Sequence, residues 1–281
     1  MNTPTIPVSQ QKRLRAHFGF AGLPFRKNVA ASVMFDSSSQ RDLRHGLVLW
    51  LELDGLALVS GPPGVGKSIC LRRFVDELPD NRYAVHRVSQ IPTTPNGFLR
   101  ALSRRLGLRP RLHAADMFDA LLAALRSHRD DHGTHPVFVL DDAEGMRVAT
   151  LDLVRRLTAA DLDGQHHVSI LLSGTDELVA TLKDPRLEPL RGRFAYSHTL
   201  RSFGLDDARN YVRFHVEGAG VARELFHDKA VTAIFHASGG LPRRINQLAL
   251  QALVDAVVRG LDVVDESLMK RVLHAHPLYR G

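Results

Sequence analysis

Residues 56–68 read LALVSGPPGVGKS, and this stretch decides how the sequence folds. Leu56 to Val59 is a short apolar run that stops at a Gly/Pro turn, which predicts a buried strand. The turn fits the pattern G-x-x-x-x-G-K-[ST] at every fixed position, and a helix is predicted from Lys67 to Leu78. A glycine-rich loop between a strand and a helix is typical of phosphate binding, because its backbone N–H groups face the phosphates and the helix dipole favours negative charge.

The whole loop is assigned to nucleotide binding, and its residues are Gly61, Pro62, Pro63, Gly64, Val65, Gly66, Lys67 and Ser68. Lys67 is expected to reach the β- and γ-phosphates, and Ser68 to offer its hydroxyl to Mg²⁺. The predicted ligands are therefore ATP and Mg²⁺. The alternative, a chance turn with an exposed lysine, does not account for the strand and the helix on either side.

Further strands are predicted where apolar or alternating runs recur between segments of helical spacing. These runs are Tyr83 to Val88, Pro136 to Leu140 and Val168 to Leu172. The alternation predicts an α/β fold with a parallel, doubly wound sheet. From Leu205 onward the apolar spacing is wholly helical, which predicts a smaller helical domain. The predicted domains are a flexible basic arm at 1–16, a nucleotide-binding α/β domain at 17–204 and a helical lid at 205–281.

Carboxylates follow the buried strand that ends at Leu140. A phosphate loop needs a second magnesium ligand, usually an Asp at the end of a neighbouring strand, and Asp141 fits this role. Hydrolysis also needs a carboxylate that orients or deprotonates the attacking water, and either Asp142 or Glu144 is a candidate. Both could instead cap the next helix.

Polar residues elsewhere are candidates for contact with the γ-phosphate. Thr175 follows the fourth strand, where it could contact the γ-phosphate or cap a helix. Arg191 and Arg193 could offer an arginine to a neighbouring subunit's phosphate, or could form a solvated pair. Arg243 begins a helix of the second domain, where it could reach the phosphates or simply be exposed.

The sequence is basic and carries features of a cytoplasmic protein. Lys and Arg number 37 against 30 Asp and Glu, giving a formal charge of +7, so polyanions are expected partners. The lone Cys70 suits a reducing compartment, and no signal peptide or membrane span is predicted. Positive charge concentrates in one segment, whose arginines are Arg100, Arg104, Arg105, Arg109 and Arg111. On a helix, Arg100, Arg104 and Arg105 share a face, which is predicted to bind DNA or to be a solvated arginine surface.

Taken in order, these segments resemble the AAA+ ATPases, and more narrowly the bacterial group of the secretion ATPase ExeA and the transposition regulators TniB, TnsC, MuB and IstB. The resemblance covers about Phe18 to Leu273 and rests on FGF, LPF, GPPGVGKS, VFVLDDAEG, ILLSGTDEL, PLRGRF and SGGLPRRINQLALQAL. It implies that FGF/LPF lies by the adenine and that Ser173 or Thr175 senses the γ-phosphate. It also implies that Arg193 or Arg191 is an arginine finger and that Arg243 is a second sensor.

The resemblance implies an ATP-dependent regulator of transposition that assembles as a ring or helical filament on double-stranded DNA and recruits or activates a transposase. The alternatives are a secretion or signalling ATPase that acts through a protein partner and a P-loop kinase of a small molecule. ExeA-type proteins are expected to continue into a membrane span and a cell-wall-binding domain, and this sequence contains neither. One departure is Asp141-Asp142 where the group usually has Asp-Glu, and the shorter side chain predicts slow hydrolysis.

Overall fold

The computed structural model describes residues 8–26, 34–131, 133–159 and 166–275. The chain divides into two compact units. Residues 38–201 form one, here called the α/β unit, and residues 1–37 with 202–281 form the other, here called the helical unit.

Helices and strands are numbered along the whole chain. The helices are α1 Val8–Phe18, α2 Ser38–Leu53, α3 Lys67–Asp76, α4 Pro95–Arg105, α5 Ala114–Asp130, α6 Val148–Leu157, α7 Asp176–Leu182, α8 Glu188–Arg191, α9 Leu205–Gly218, α10 Asp228–Ser238, α11 Pro242–Arg259 and α12 Glu266–Ala275. The strands are β1 Leu56–Ser60, β2 Tyr83–Val88, β3 His135–Leu140, β4 Ser169–Gly174 and β5 Phe194–Thr199. Short 3₁₀ turns occur at Ala143–Gly145 and Pro185–Leu187.

The α/β unit is built on a five-stranded sheet in the order β2-β3-β4-β1-β5. Every pairing is parallel, which confirms the predicted fold class. The central strands are apolar along most of their length because both faces of the sheet are covered, and Phe138, Ile170 and Leu172 are fully buried. The edge strand β5 was not predicted, since its residues alternate between half-buried and exposed and so form no apolar run.

Each helix that packs on the sheet buries one stripe of apolar side chains. In α5 the buried residues are Met117, Leu121 and Leu125, four residues apart, and they belong to the same apolar core as Phe138. Residues at this spacing lie on one face of a helix, so the stripe faces the sheet. The helical crossovers leave the carboxyl ends of the strands at one edge, followed by loops.

The helical unit contains α1 and α9 to α12, and α1 corrects the predicted N-terminal arm. Residues 8–16 were expected to be flexible, yet they lie within α1, which packs against α11. Leu14 and Phe18, four residues apart, are 2% and 4% exposed in the core of this unit. The arm prediction failed because two apolar residues among many polar ones are enough for a stripe on a short helix. Residues 1–7 lie outside the described residues.

The predicted domain boundaries need a second correction. Residues 17–37 were assigned to the α/β domain, but those of them that the structure describes, 17–26 and 34–37, group with the helical unit. The backbone N–H of Ala21 donates to the carbonyl of Ala219 at 2.8 Å, and Phe20 and Phe25 are buried in the helical core. The second boundary, predicted after residue 204, falls after Arg201. This N-terminal segment packs on helices that follow it by nearly two hundred residues in the chain. No local pattern in the sequence indicates such a contact.

Candidate functional site

The loops that follow β1, β3 and β4 meet at one edge of the α/β unit. In the register of the sheet Ser60 pairs with Gly174, and Leu140 pairs with Leu172. Strand β4 therefore lies between the strand that leads into Gly61 and the strand that leads into Asp141. Ligands of open parallel sheets bind outside the carboxyl ends of the strands, so this edge is the candidate site.

The loop after β1 depends on glycine at two positions. Gly61 has φ 151°, and a Cβ there would lie 2.5 Å from the carbonyl oxygen of Leu200. Gly66 has φ 110° and begins α3 without a side-chain cap. Because no side chain caps the start of α3 and its first turn contains no acidic residue, its N–H groups suit an anion.

Lys67 is folded back onto the loop. Its Nζ donates to the carbonyl oxygens of Gly61 at 2.8 Å and Pro62 at 3.3 Å, and the residue is only 7% exposed. The ammonium group is thus held over the loop, and its contact with phosphate stays a prediction. Ser68 follows in the first turn of α3 and is exposed.

Gln40 was not singled out from the sequence. It is buried in α2, and its Nε2 lies 3.5 Å from the position of a Cβ on Gly66. A buried amide beside a phosphate loop is a candidate for positioning the loop. The sequence gives no signal for it, because a glutamine in a helix is ordinarily exposed.

Asp141 and Ser173 are brought together by the sheet. Ser173 is fully buried, and its Oγ donates to Oδ1 of Asp141 at 2.8 Å. The backbone N–H of Asp142 donates to the same oxygen at 3.2 Å. These two bonds fix the orientation of the carboxylate at the strand end. A fixed carboxylate oxygen is the kind of ligand that Mg²⁺ prefers, and Asp141 stays the predicted magnesium ligand.

Asp142 and Glu144 lie in different surroundings. Asp142 is exposed and left-handed, with φ 58° and ψ 50°, a conformation that Asp tolerates better than most residues. The Oε2 atom of Glu144 is buried without a hydrogen-bond partner, and it lies 3.1 Å from the position of a Cβ on Gly174. Asp142 makes no side-chain capping bond to the following 3₁₀ turn. Both carboxylates therefore remain candidates for the group that acts on water.

Thr175 precedes α7 at the end of β4. It occupies the N-cap position, but its side chain makes no capping bond, and its buried Oγ1 has no hydrogen-bond partner. A buried hydroxyl without a partner costs free energy, about 1–3 kcal/mol, unless a ligand supplies one. Its geometry fits a contact with a bound group better than the capping alternative.

The candidate arginines are held by backbone carbonyls. Nη1 of Arg191 donates to the carbonyls of Leu182 at 2.9 Å and Asp184 at 3.0 Å, at the end of α7. Nη1 of Arg193 makes one longer bond, 3.4 Å, to the carbonyl of Thr158. Neither is simply solvated, and Arg193 is the less firmly held. Arg243 lies in the helical unit, exposed in the first turn of α11.

The predicted arginine surface lies on α4. Arg100, Arg104 and Arg105 are exposed, whereas Leu99 and Leu102 are buried in the core, so the helix has the predicted two faces. Among the described residues, none of these arginines forms an ion pair. The three arginines are called here the α4 arginine face. Burial, with smaller contributions from the positive charges of His128 and Arg105, lowers the pKa of nearby His86 to about 4. The imidazole is therefore neutral at pH 7 and adds no charge to this face.

The sheet, the loop after β1 and the fixed carboxylate after β3 have the arrangement of the AAA+ P-loop fold. Residues 51–182 match the family model described as AAA domain. The match covers a little under half of the chain and, together with the fold, supports ATPase activity in the α/β unit.

Individual proteins are similar to this chain in sequence or in fold. General secretion pathway protein A of Aeromonas hydrophila is 29% identical over 73% of this chain, which spans only 38% of that protein's length. The Aeropyrum pernix ORC2 protein, in ADPNP and ADP complexes, superposes with a TM-score of 0.64 at 14% identity, covering 89% of this chain and 71% of that chain. The Aeropyrum pernix ORC1 protein in complex with DNA gives a TM-score of 0.60 at 19% identity, covering 85% and 66%. No helix among the described residues has the length and apolar character needed to span a membrane.

Proposed function

We propose that this ATPase is a DNA-binding regulator of transposition, which assembles on target DNA and recruits or activates a transposase, with ATP hydrolysis as the switch. The observation that carries the proposal is the α4 arginine face on a nucleotide-binding unit. Its arginines differ from others in the unit: Arg82 is paired with Glu52 at 3.0 Å, and Arg87 with Asp76. Arginines that lack a carboxylate partner attract phosphates, whose neutralisation releases counterions.

The proposed roles in the site are supported by its geometry for the residues after β1, β3 and β4, and by the family resemblance for the arginines. The phosphates bind to the loop from Gly61 to Ser68, and Ser68 and Asp141 hold Mg²⁺, which neutralises phosphate charge and orients the γ-phosphate. Asp142 or Glu144 orients the attacking water. Ser173 orients Asp141, while Thr175 contacts the γ-phosphate or the water. Arg193 or Arg191 is offered to the site of a neighbouring copy, and Arg243 serves as a second sensor.

The switch depends on thermodynamic linkage between nucleotide binding and the assembly of subunits. An arginine finger that reaches a neighbour's γ-phosphate joins subunits only while ATP is present, so ATP favours a ring or filament. Many weak phosphate contacts along one duplex then add up to strong binding. Slow hydrolysis at an Asp142 site would give each assembly a long lifetime. The ORC1 protein in complex with DNA, which shares the fold, is consistent with a DNA-bound AAA+ assembly.

A second candidate is a secretion or signalling ATPase that acts through a protein partner. It is favoured by the 29% identity to general secretion pathway protein A. This function would also use the nucleotide site but would not need the α4 arginine face. DNA binding therefore separates the two candidates.

The test is duplex DNA binding with ATP, a slowly hydrolysed analogue, ADP or no nucleotide, across a salt series. Parent protein is compared with Arg100/Arg104/Arg105→Ala, and the control is Arg82/Arg87/Arg129→Ala, which removes equal charge from arginines paired with carboxylates. We expect ATP to strengthen binding and the α4 variant to lower the slope of log affinity against log salt by about 0.9 per lost phosphate contact. Nucleotide-independent binding with an unchanged slope in the α4 variant would contradict the proposed surface. Absence of DNA binding in every nucleotide state would favour the protein-partner function.

A further inference from the structure

The loop between α4 and α5, residues 106–113, is fixed at both ends. The backbone N–H of Leu108 donates to the carbonyl of Ser103 at 2.8 Å, and the N–H of Met117 donates to the carbonyl of His113 at 3.1 Å. Leu106, Leu108 and Ala114 pack against the core of the α/β unit. The apolar residues at the ends of the loop are thus directed inward.

Leu112 in the same loop is 82% exposed, more than any other large apolar residue among those described. Arg109 and Arg111 beside it are exposed, and neither has an ion pair in the described part of the chain. Pro110 fixes its own φ and restricts Arg109 to an extended backbone. The residues from Arg109 to Leu112 are called here the RPRL tip.

In the RPRL tip a solvent-exposed leucine lies close in sequence to two positively charged arginines. Covering the leucine requires an apolar surface, and the arginines require negative charge around it. The minor groove of duplex DNA offers both, because arginines are attracted to its negative potential and apolar side chains wedge between its base steps. Leu53 is a useful contrast: it is 63% exposed, but its neighbours Glu52 and Asp54 are acidic, so the same partner would be repelled.

We infer that the RPRL tip is a minor-groove contact in which Leu112 inserts between base steps and kinks the duplex. This inference rests on the proposed DNA-binding function and adds a second kind of contact to it. The α4 arginine face binds phosphates, whereas the tip deforms the DNA. The DNA bound to the assembly would therefore be bent at the tip.

The test uses the full chain with ATP and a duplex that carries 2-aminopurine, whose fluorescence rises when its base is unstacked. Ring closure of a fragment of about 150 bp, near the persistence length of DNA, reports bending. Leu112→Ala is compared with the parent, with Leu53→Ala as the matched exposed leucine, and with Arg109/Arg111→Ala. All four proteins are first titrated with an unlabelled duplex across a salt series.

For Leu112→Ala we expect loss of the fluorescence rise and of enhanced ring closure, an affinity several-fold weaker, and an unchanged salt slope, because no phosphate contact is removed. Leu53→Ala should match the parent. Arg109/Arg111→Ala should lower the salt slope by up to about 1.8, or 0.9 for each of two contacts. If Leu112→Ala still binds DNA and gives the same fluorescence rise and ring closure as the parent, the insertion of Leu112 between base steps is contradicted. That result would leave the DNA-binding function intact. A parent protein that binds no duplex with ATP would overturn the DNA-binding function as well.

Discussion

Asp142 occupies a left-handed backbone position, and this decides which substitutions test its role. Asn tolerates this conformation, so Asp142→Asn removes the charge without moving the backbone. If Asp142 orients the water, the variant should bind ATP normally and lose about 10²–10⁴-fold in turnover, the range for general bases. Steady-state phosphate release with a parallel ATP titration measures both.

The matched variants for this prediction are Glu144→Gln and Asp176→Asn. Asp176 is an exposed acidic residue in the first turn of α7, following β4, and its variant should hydrolyse ATP like the parent. Normal turnover in Asp142→Asn together with loss in Glu144→Gln would transfer the role to Glu144. The buried, unpartnered Oε2 of Glu144 makes that outcome chemically reasonable.

Ser173 provides a second prediction at this scale, through its bond to Asp141. Ser173→Ala should leave Asp141 less well oriented, so turnover should fall and more Mg²⁺ should be needed for half-maximal activity. The control is Ser169→Ala at the other end of β4, where the hydroxyl bonds to Nε2 of His135 at 2.9 Å. Both variants should lose about 1 kcal/mol of stability, the typical worth of a hydrogen bond. An Mg²⁺ dependence that is equal in the two variants would contradict a specific role for Ser173.

At the scale of elements, the loop after β1 depends on the close approach of Gly61 to the chain after β5. Gly61→Ala would place a methyl group 2.5 Å from a backbone oxygen that cannot move aside easily. We expect the loop to shift and ATP affinity to fall at least about tenfold, or 1.4 kcal/mol. Gly107→Ala is the control, because Gly107 also has positive φ, 72°, but no atom within 4 Å of an added Cβ. Isothermal titration with ATP measures the difference, and equal affinities in the two variants would contradict the claim.

Sequence and structure agree best where burial is greatest. Strands β1, β3 and β4 each contain a short apolar run because helices cover both faces of the sheet. These runs were enough to predict the strands, and Asp141 followed as the polar residue at a strand end. Strand β5 has only one half-buried side and carries no such run. The bond from Ser173 to Asp141 depends on the register of β3 against β4, which residue order alone does not specify.

The helical unit illustrates a different limit. Leu14 and Phe18 of α1 are buried against helices from the other end of the chain, so their partners are distant in sequence. Phe20 and Phe25, which the family resemblance assigns to the adenine site, are buried within the same core. Composition and periodicity describe local structure well, but they do not say which distant segment completes a core.

At the scale of the whole molecule, an arginine finger predicts that two defective proteins repair each other. Arg193→Ala retains a phosphate loop but lacks the finger, whereas Lys67→Ala lacks phosphate binding but retains the finger. In a mixed assembly some sites should contain a normal loop and a normal finger, so phosphate release should exceed the sum of the separate proteins. Lys183→Ala, an exposed lysine variant, should show no gain when mixed with Arg193→Ala. No gain at any ratio of the two defective proteins, with assembly verified by size, would count against Arg193, and Arg191→Ala would be mixed next.

The central claim is that the loop from Gly61 to Ser68 binds the phosphates of ATP, and calorimetric titration of ATP with Mg²⁺ tests it most directly. Parent, Lys67→Ala and Lys183→Ala proteins are compared, with thermal unfolding as a check on folding. We predict that Lys67→Ala binds ATP at least about 100-fold more weakly, near 2.7 kcal/mol, while Lys183→Ala binds like the parent. Parental ATP affinity in a folded Lys67→Ala protein would contradict the claim.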